Sequence, residues 1–203
     1  MKKVSNPINQ EVQNLVVVGD PGVGKSALII QFIKKNLNPV YNDYFEYSSE
    51  QVTIDSKTCR LAIYDTKFLE LYPNSGHQEE HLAQKEYRSL GNIFLCVYSI
   101  ASKISFEEIK IHYDQMRKYQ YHSYSVPMIL VGNKCDLQEE RRVSTAEGQD
   151  LANNFGCPFF ETSAIEGINI EEVFYEAVRE VRKYQKTCKA QRKRNKPNAC
   201  SFA

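Results

Sequence analysis

The run NLVVVGDPGVGKS, residues 14–26, constrains this chain more than any other stretch. NLVVVG (14–19) is continuously apolar and ends on glycine, as a strand buried on both faces reads. GDPGVGKS, Gly19 to Ser26, fits the pattern G-x-x-x-x-G-K-[ST], and a helix is predicted behind it from Lys25 to Asn36. Glycines at these positions let successive N–H groups turn toward an anion, and the helix N-terminus adds a favourable dipole. Lys25 brings positive charge to the outer phosphates, and the Ser26 hydroxyl suits Mg²⁺. The competing reading, a Gly-rich turn met by chance, does not explain the strand before it and the helix after it. By itself the motif specifies a nucleoside triphosphate and leaves the base open.

The rest of the chain alternates strand and helix patterns. Residues 45–54 and 59–65 read as a strand pair across Asp55-Ser56-Lys57, and 92–100 and 127–133 as buried strands. Ser105 and Glu108 suggest a capping box for a helix that places Phe106, Ile109, Tyr113 and Met116 on one face. Ser144 and Glu147 suggest a second box. Residues 158–164 form a short strand and loop. Ile170, Val173, Phe174, Ala177, Val178 and Val181 are the stripe of a last helix. The predicted fold is therefore α/β of the P-loop NTPase type: a mainly parallel sheet with helices on both faces. Ligands bind such sheets beyond the carboxyl ends of the strands, where these loops leave.

The second chemical motif is NKCD, with Asn133, Lys134 and Asp136 directly behind a buried strand. An aspartate here accepts two hydrogen bonds from the N1–H and exocyclic amine of guanine. Adenine offers a different edge and would leave that carboxylate unpaired. Alone, N-K-x-D also reads as a helix-start turn with a capping Asp; its distance from the phosphate loop favours guanine.

Charge and cysteine content narrow the setting. From Arg182 to Ala203 there are eight basic residues and no acid, while residues 1–181 hold 18 basic and 25 acidic ones, a net −7. A basic end on an acidic body fits a tail that meets an anionic surface, membrane or nucleic acid, or one that is simply solvated. No basic surface interleaved with aromatics supports nucleic acid, so no nucleic-acid partner is expected. The six cysteines show no CxxC pair or regular spacing and read as reduced thiols of a cytosolic protein rather than a disulfide framework. No apolar run approaches a membrane span, and residues 1–13 are polar and lack the core of a signal peptide. The expected organisation is a loose extension (1–13), one domain (14–185) and a basic unstructured tail (186–203).

In GDPGVGKSAL, DT, FLCVYSI, SFEEI, VGNKCDL, ETSA and the final CSFA the chain resembles the Ras-like small GTPases, over nearly its whole length. The resemblance implies a six-stranded, mostly parallel sheet with one antiparallel edge strand, and a switch that binds GTP or GDP with Mg²⁺ and hydrolyses GTP to GDP and phosphate. Gly19, Asp20, Gly22, Val23, Gly24, Lys25, Ser26 and Ala27 would cradle the phosphates. Gly76 would meet the γ-phosphate. Asn133, Lys134, Asp136, Ser163 and Ala164 would hold guanine, and Ser26 and Asp65 the metal. Ile165 stands where the family usually has lysine. Exchange factors, GTPase-activating proteins and effectors would bind at residues 40–50 and 67–88. CSFA looks like a prenylation box with Cys200 as acceptor, Ala203 favouring farnesyl, and the basic tail as second signal; Cys188 is a weaker palmitate site. The implied location is the cytoplasmic face of a membrane, the plasma membrane above all.

Three departures cluster where the γ-phosphate would sit. Pro21 replaces a glycine, removing one N–H and fixing φ at about −65°. Tyr44 stands where the family has the threonine that senses Mg²⁺ and γ-phosphate; Tyr41 could still close over the phosphates. After Asp65-Thr66, KFLELYPN (67–74) reads as an eight-residue insertion, so that Gly76 takes the switch glycine's place and His77 that of the water-positioning glutamine. Gln78 is the substitute if the register slips. The expectation is catalysis by Lys25 with His77 or Gln78, and weak hydrolysis. The alternative is a nucleotide-bound interaction module with little or no hydrolysis.

Overall fold

The computed structural model describes residues 11–36, 47–66, 91–118 and 127–194. Six strands form one sheet: β1 (Val12–Val18), β2 (Tyr47–Ile54), β3 (Lys57–Asp65), β4 (Ile93–Ser99), β5 (Met128–Asn133) and β6 (Phe159–Thr162). Their order is β2-β3-β1-β4-β5-β6; β2 runs antiparallel to β3 at the edge and all other pairings are parallel. β1 therefore lies between β3 and β4, at the point where the winding reverses, and the Gly19 loop leaves its carboxyl end. This is the crevice where doubly wound sheets bind ligands.

The central strands are buried along their whole length, as their unbroken apolar runs require: all seven residues of β4 and all six of β5 are buried. Helices α1 (Lys25–Asn36) and α4 (Ile170–Arg194) cover one face, where Phe32 stacks on Phe174 with ring centroids 4.1 Å apart. Helices α2 (Lys103–Lys118) and α3 (Thr145–Phe155) cover the other through Phe106, Ile109, Tyr113, Leu151 and Ala152. The side chain of Met116 lies outside the described residues. Full burial of an aromatic such as Phe32 contributes roughly 1.5–3 kcal/mol, so the two apolar layers hold the helices to the sheet.

Local chemistry sets the element ends. The β2–β3 turn is two residues, Asp55 and Ser56, both at positive φ (52° and 61°), as a tight hairpin matched to the strand twist requires. Lys57, expected in the turn, is the first residue of β3. The Ser144–Glu147 box forms as read, and Gly156 closes α3 in the left-handed conformation. The Ser105–Glu108 box does not form. Helix α2 begins two residues before Ser105, and the Ser102 hydroxyl accepts from the Ser105 N–H (3.2 Å). Ser105 is buried and its own hydroxyl accepts from the Ser99 N–H (3.1 Å). Both serines can cap; the exit path of β4 selects the earlier one.

Two expected boundaries shift. Val12 and Gln13, placed in a loose extension, extend β1 by pairing with Arg60 and Leu61. Residues 186–194, placed in an unstructured tail, continue α4. The apolar stripe stops at Val181, but Lys, Ala, Gln and Arg are strong helix formers and the next proline is Pro197. Cys59, Cys96, Cys135, Cys157 and Cys188 are free thiols. Among the described residues no helix is long and apolar enough to cross a membrane.

Candidate functional site

The loop after β1 is shaped by close backbone approach. Gly19 and Gly24 have φ of 148° and 100°. A Cβ on Gly19 would lie 2.1 Å from the Val97 carbonyl oxygen, and one on Gly24 2.4 Å from Asn133 Nδ2, so neither place admits a side chain. The loop folds back over the first turn of α1, and the Lys25 ammonium, buried in spite of its charge, donates to the carbonyls of Gly19 (2.7 Å) and Asp20 (2.9 Å). These bonds hold the cation under the loop crest, where Pro21 and Gly22 are exposed. A lysine so held meets an anion as a fixed point charge.

Ser26, at the second position of α1, donates its hydroxyl to Asp65 Oδ2 at 2.5 Å. Asp65 closes β3 and is buried; Thr66 behind it donates to the Val17 carbonyl (2.9 Å), tying the end of β3 to β1. Ser26 and Asp65 thus bring hard oxygen donors together beside a phosphate-shaped loop, which fits Mg²⁺. Among the described residues no group of three or more His, Cys, Asp or Glu could hold a metal ion. Mg²⁺ commonly takes one or two protein oxygens and shares the rest of its shell with phosphate and water, so the donor set fits that ion better than one needing an all-protein cage.

On the other side of the crevice, Asn133 joins three loops. Its Nδ2 donates to the Val23 carbonyl (2.8 Å) in the phosphate loop, and its Oδ1 accepts from the Thr162 hydroxyl (3.0 Å) at the end of β6. Asn133, Thr162 and Ser163 are all buried. Lys134 follows with φ 65°, turning the chain so that the Cys135 N–H reaches the Thr162 carbonyl (2.9 Å) and Asp136 comes to the partly exposed rim. Ser163 exchanges backbone hydrogen bonds with Ile168, and its hydroxyl accepts from the Glu166 N–H (3.1 Å), closing the loop that carries Ala164 and the exposed Ile165. Arg141 braces this side through a bidentate pair with Glu161 (2.6 and 2.9 Å), and that carboxylate raises the Arg141 pKa.

The structure therefore brings together Gly19, Asp20, Gly22, Val23, Gly24, Lys25, Ser26, Ala27, Asp65, Asn133, Lys134, Asp136, Ser163 and Ala164 at the carboxyl edge of the sheet. Tyr41, Tyr44, Gly76, His77, Gln78, Cys200, the 67–74 insertion and most of the two partner-binding stretches lie outside the described residues. Thr162 belongs to the TSA stretch expected at the base, but nothing in the sequence assigns its hydroxyl to Asn133. Nor does the sequence give a role to His112, which meets Asp20 across the fold.

A phosphate loop at the winding reversal, a serine–aspartate pair beside it and an asparagine that joins it to a base-side loop define a P-loop nucleotide-binding protein of the α/β class. A model of the Ras family matches residues 14–183. The chain is also 47% identical over 170 residues to the Ras-like protein rasS of Dictyostelium discoideum, covering 83% of each. The chain belongs to the Ras family of small GTPases, whose members are GTP-binding switches.

Proposed function

We propose that this chain is a membrane-anchored switch that binds GTP and GDP with Mg²⁺ and hydrolyses GTP slowly. The observation that carries the reading is Asn133, which bonds the phosphate loop and the base-side loop at once and so ties the two sides of the crevice to a single buried anchor. Asp136 on the adjoining rim supplies the carboxylate that selects guanine. In hydrolysis, water attacks the γ-phosphate in line with the departing β-phosphate oxygen, and Lys25 stabilises the charge that develops. Ser26 and Asp65 would hold Mg²⁺, which when bound neutralises phosphate charge. His77 or Gln78 would orient the water poorly. The test of base choice is competition binding: GDP should displace a bound guanine nucleotide at concentrations where ADP does not, and Asp136→Ala should lose about tenfold or more of that preference. Displacement by ADP as readily as by GDP would refute it.

Pro21 favours a second reading, an interaction module that keeps nucleotide without turning it over. It sits exposed at the loop crest, and its ring would narrow the path of an attacking water or a partner's arginine. Exchange factors, activating proteins and effectors would engage residues 40–50 and 67–88. Anchoring is proposed through a prenyl group on Cys200 and the basic tail. Cys200→Ser should move the protein from the membrane to the soluble fraction, and unchanged sedimentation with membranes counts against the anchor.

A further inference from the structure

Asp20 is an acid inside a loop built for anions. Its backbone carbonyl accepts from the Lys25 ammonium at 2.9 Å, yet its carboxylate lies against α2, where Oδ1 is 3.2 Å from His112 Nε2. The pair joins positions 92 apart in sequence, and both side chains are less than one-third exposed. His112 rides on a fixed element. Phe106, Ile109 and Tyr113 of α2 are buried on the sheet, and the Tyr113 ring stacks on Phe155 at 3.8 Å. The imidazole N–H is thus presented to Asp20 from a rigid helix flank.

The chemistry of the loop gives this contact a purpose. An aspartate side chain turns about one bond near the backbone, and the ammonium that its own carbonyl holds is within the same turn of chain. A carboxylate released there is a built-in rival of phosphate for Lys25, and a like charge beside a bound triphosphate. We propose that His112 is a positioning residue for nucleotide binding: it holds the Asp20 carboxylate on the α2 side and so leaves the Lys25 ammonium to the phosphates. The inference rests on the reading of this loop as a guanine-nucleotide site.

Equilibrium binding of GDP in Mg²⁺ buffer to the full chain tests it, using wild type, His112→Ala, His112→Gln and the double variant His112→Ala/Asp20→Ala. His112→Ala raises the Kd about tenfold. His112→Gln, which keeps an N–H donor, stays within about threefold of wild type, and removing the rival carboxylate in the double variant recovers most of the loss. A purely structural role for His112 would not be rescued by taking away a second side chain. If His112→Ala does not fold, His112→Leu of similar bulk takes its place. Unchanged affinity in the single variant, or a double variant at least as weak as the single, overturns the proposal. Failure of wild type to bind GDP at all would instead overturn the nucleotide reading itself.

Discussion

The two ends of the crevice hang from one sheet edge but are secured in different ways. The base side is fastened from within: Asn133, Thr162 and Ser163 are buried, and the Asn133–Thr162 bond joins the ends of β5 and β6. The phosphate side is held mainly through its backbone, by Lys25 on two carbonyls and by a partly exposed histidine–aspartate contact, with Pro21 and Gly22 at an open crest. Buried networks fix one geometry, whereas a loop held at few points can answer what binds it. The difference suits a switch of this family: the base side is fixed by the fold, and Pro21, a departure from the family pattern, falls on the end that must respond.

Asn133 is where the two ends of the crevice meet, so its loss should be felt most. Asn133→Ala leaves the Thr162 hydroxyl and the Val23 carbonyl unpaired in a buried place, so folding stability should fall by about 2–4 kcal/mol in denaturant unfolding. Pro21→Ala at the crest should change it by less than about 0.5 kcal/mol. Comparable losses in both would show that the two ends are not secured differently.

A smaller effect lies on the periphery of the base side. The Glu147 carboxyl is held down, from an ordinary 4.5 to about 2, by the Lys103 ammonium (2.5 Å) and then by Ser144. A lowered folded-state value means a contribution present above about pH 4.5 and lost as pH falls toward 2. The stability gap between wild type and Glu147→Gln should therefore be constant above about pH 5 and close below it. The pair is exposed, so a gap surviving unchanged at pH 2 would assign the effect to something other than this charge.

What could be read in the sequence followed from local physics. Continuous apolar runs gave β1, β4 and β5, helical stripes gave α2 and α4, and the glycine spacing gave the phosphate loop. The Ser144–Glu147 box was legible because both its partners are local. Contacts that depend on the path of the chain were not. Nothing around His112 points to Asp20, and nothing around Arg179 points to Asp55 in the β2–β3 turn, 124 positions away (3.0 Å). The choice between Ser102 and Ser105 as cap depended on how β4 ends. The extension of α4 to Arg194 is not legible in the apolar stripe, which stops at Val181; helix propensity alone carries the chain further.

GTP consumption by purified wild-type protein in Mg²⁺, set beside Lys25→Ala under the same conditions, decides whether this chain is a working switch. Slow turnover that clearly exceeds the variant is expected, because the buried cation is retained while the crest above it departs from the family. Turnover equal to that of Lys25→Ala would contradict a working switch and leave the nucleotide-bound interaction module in its place.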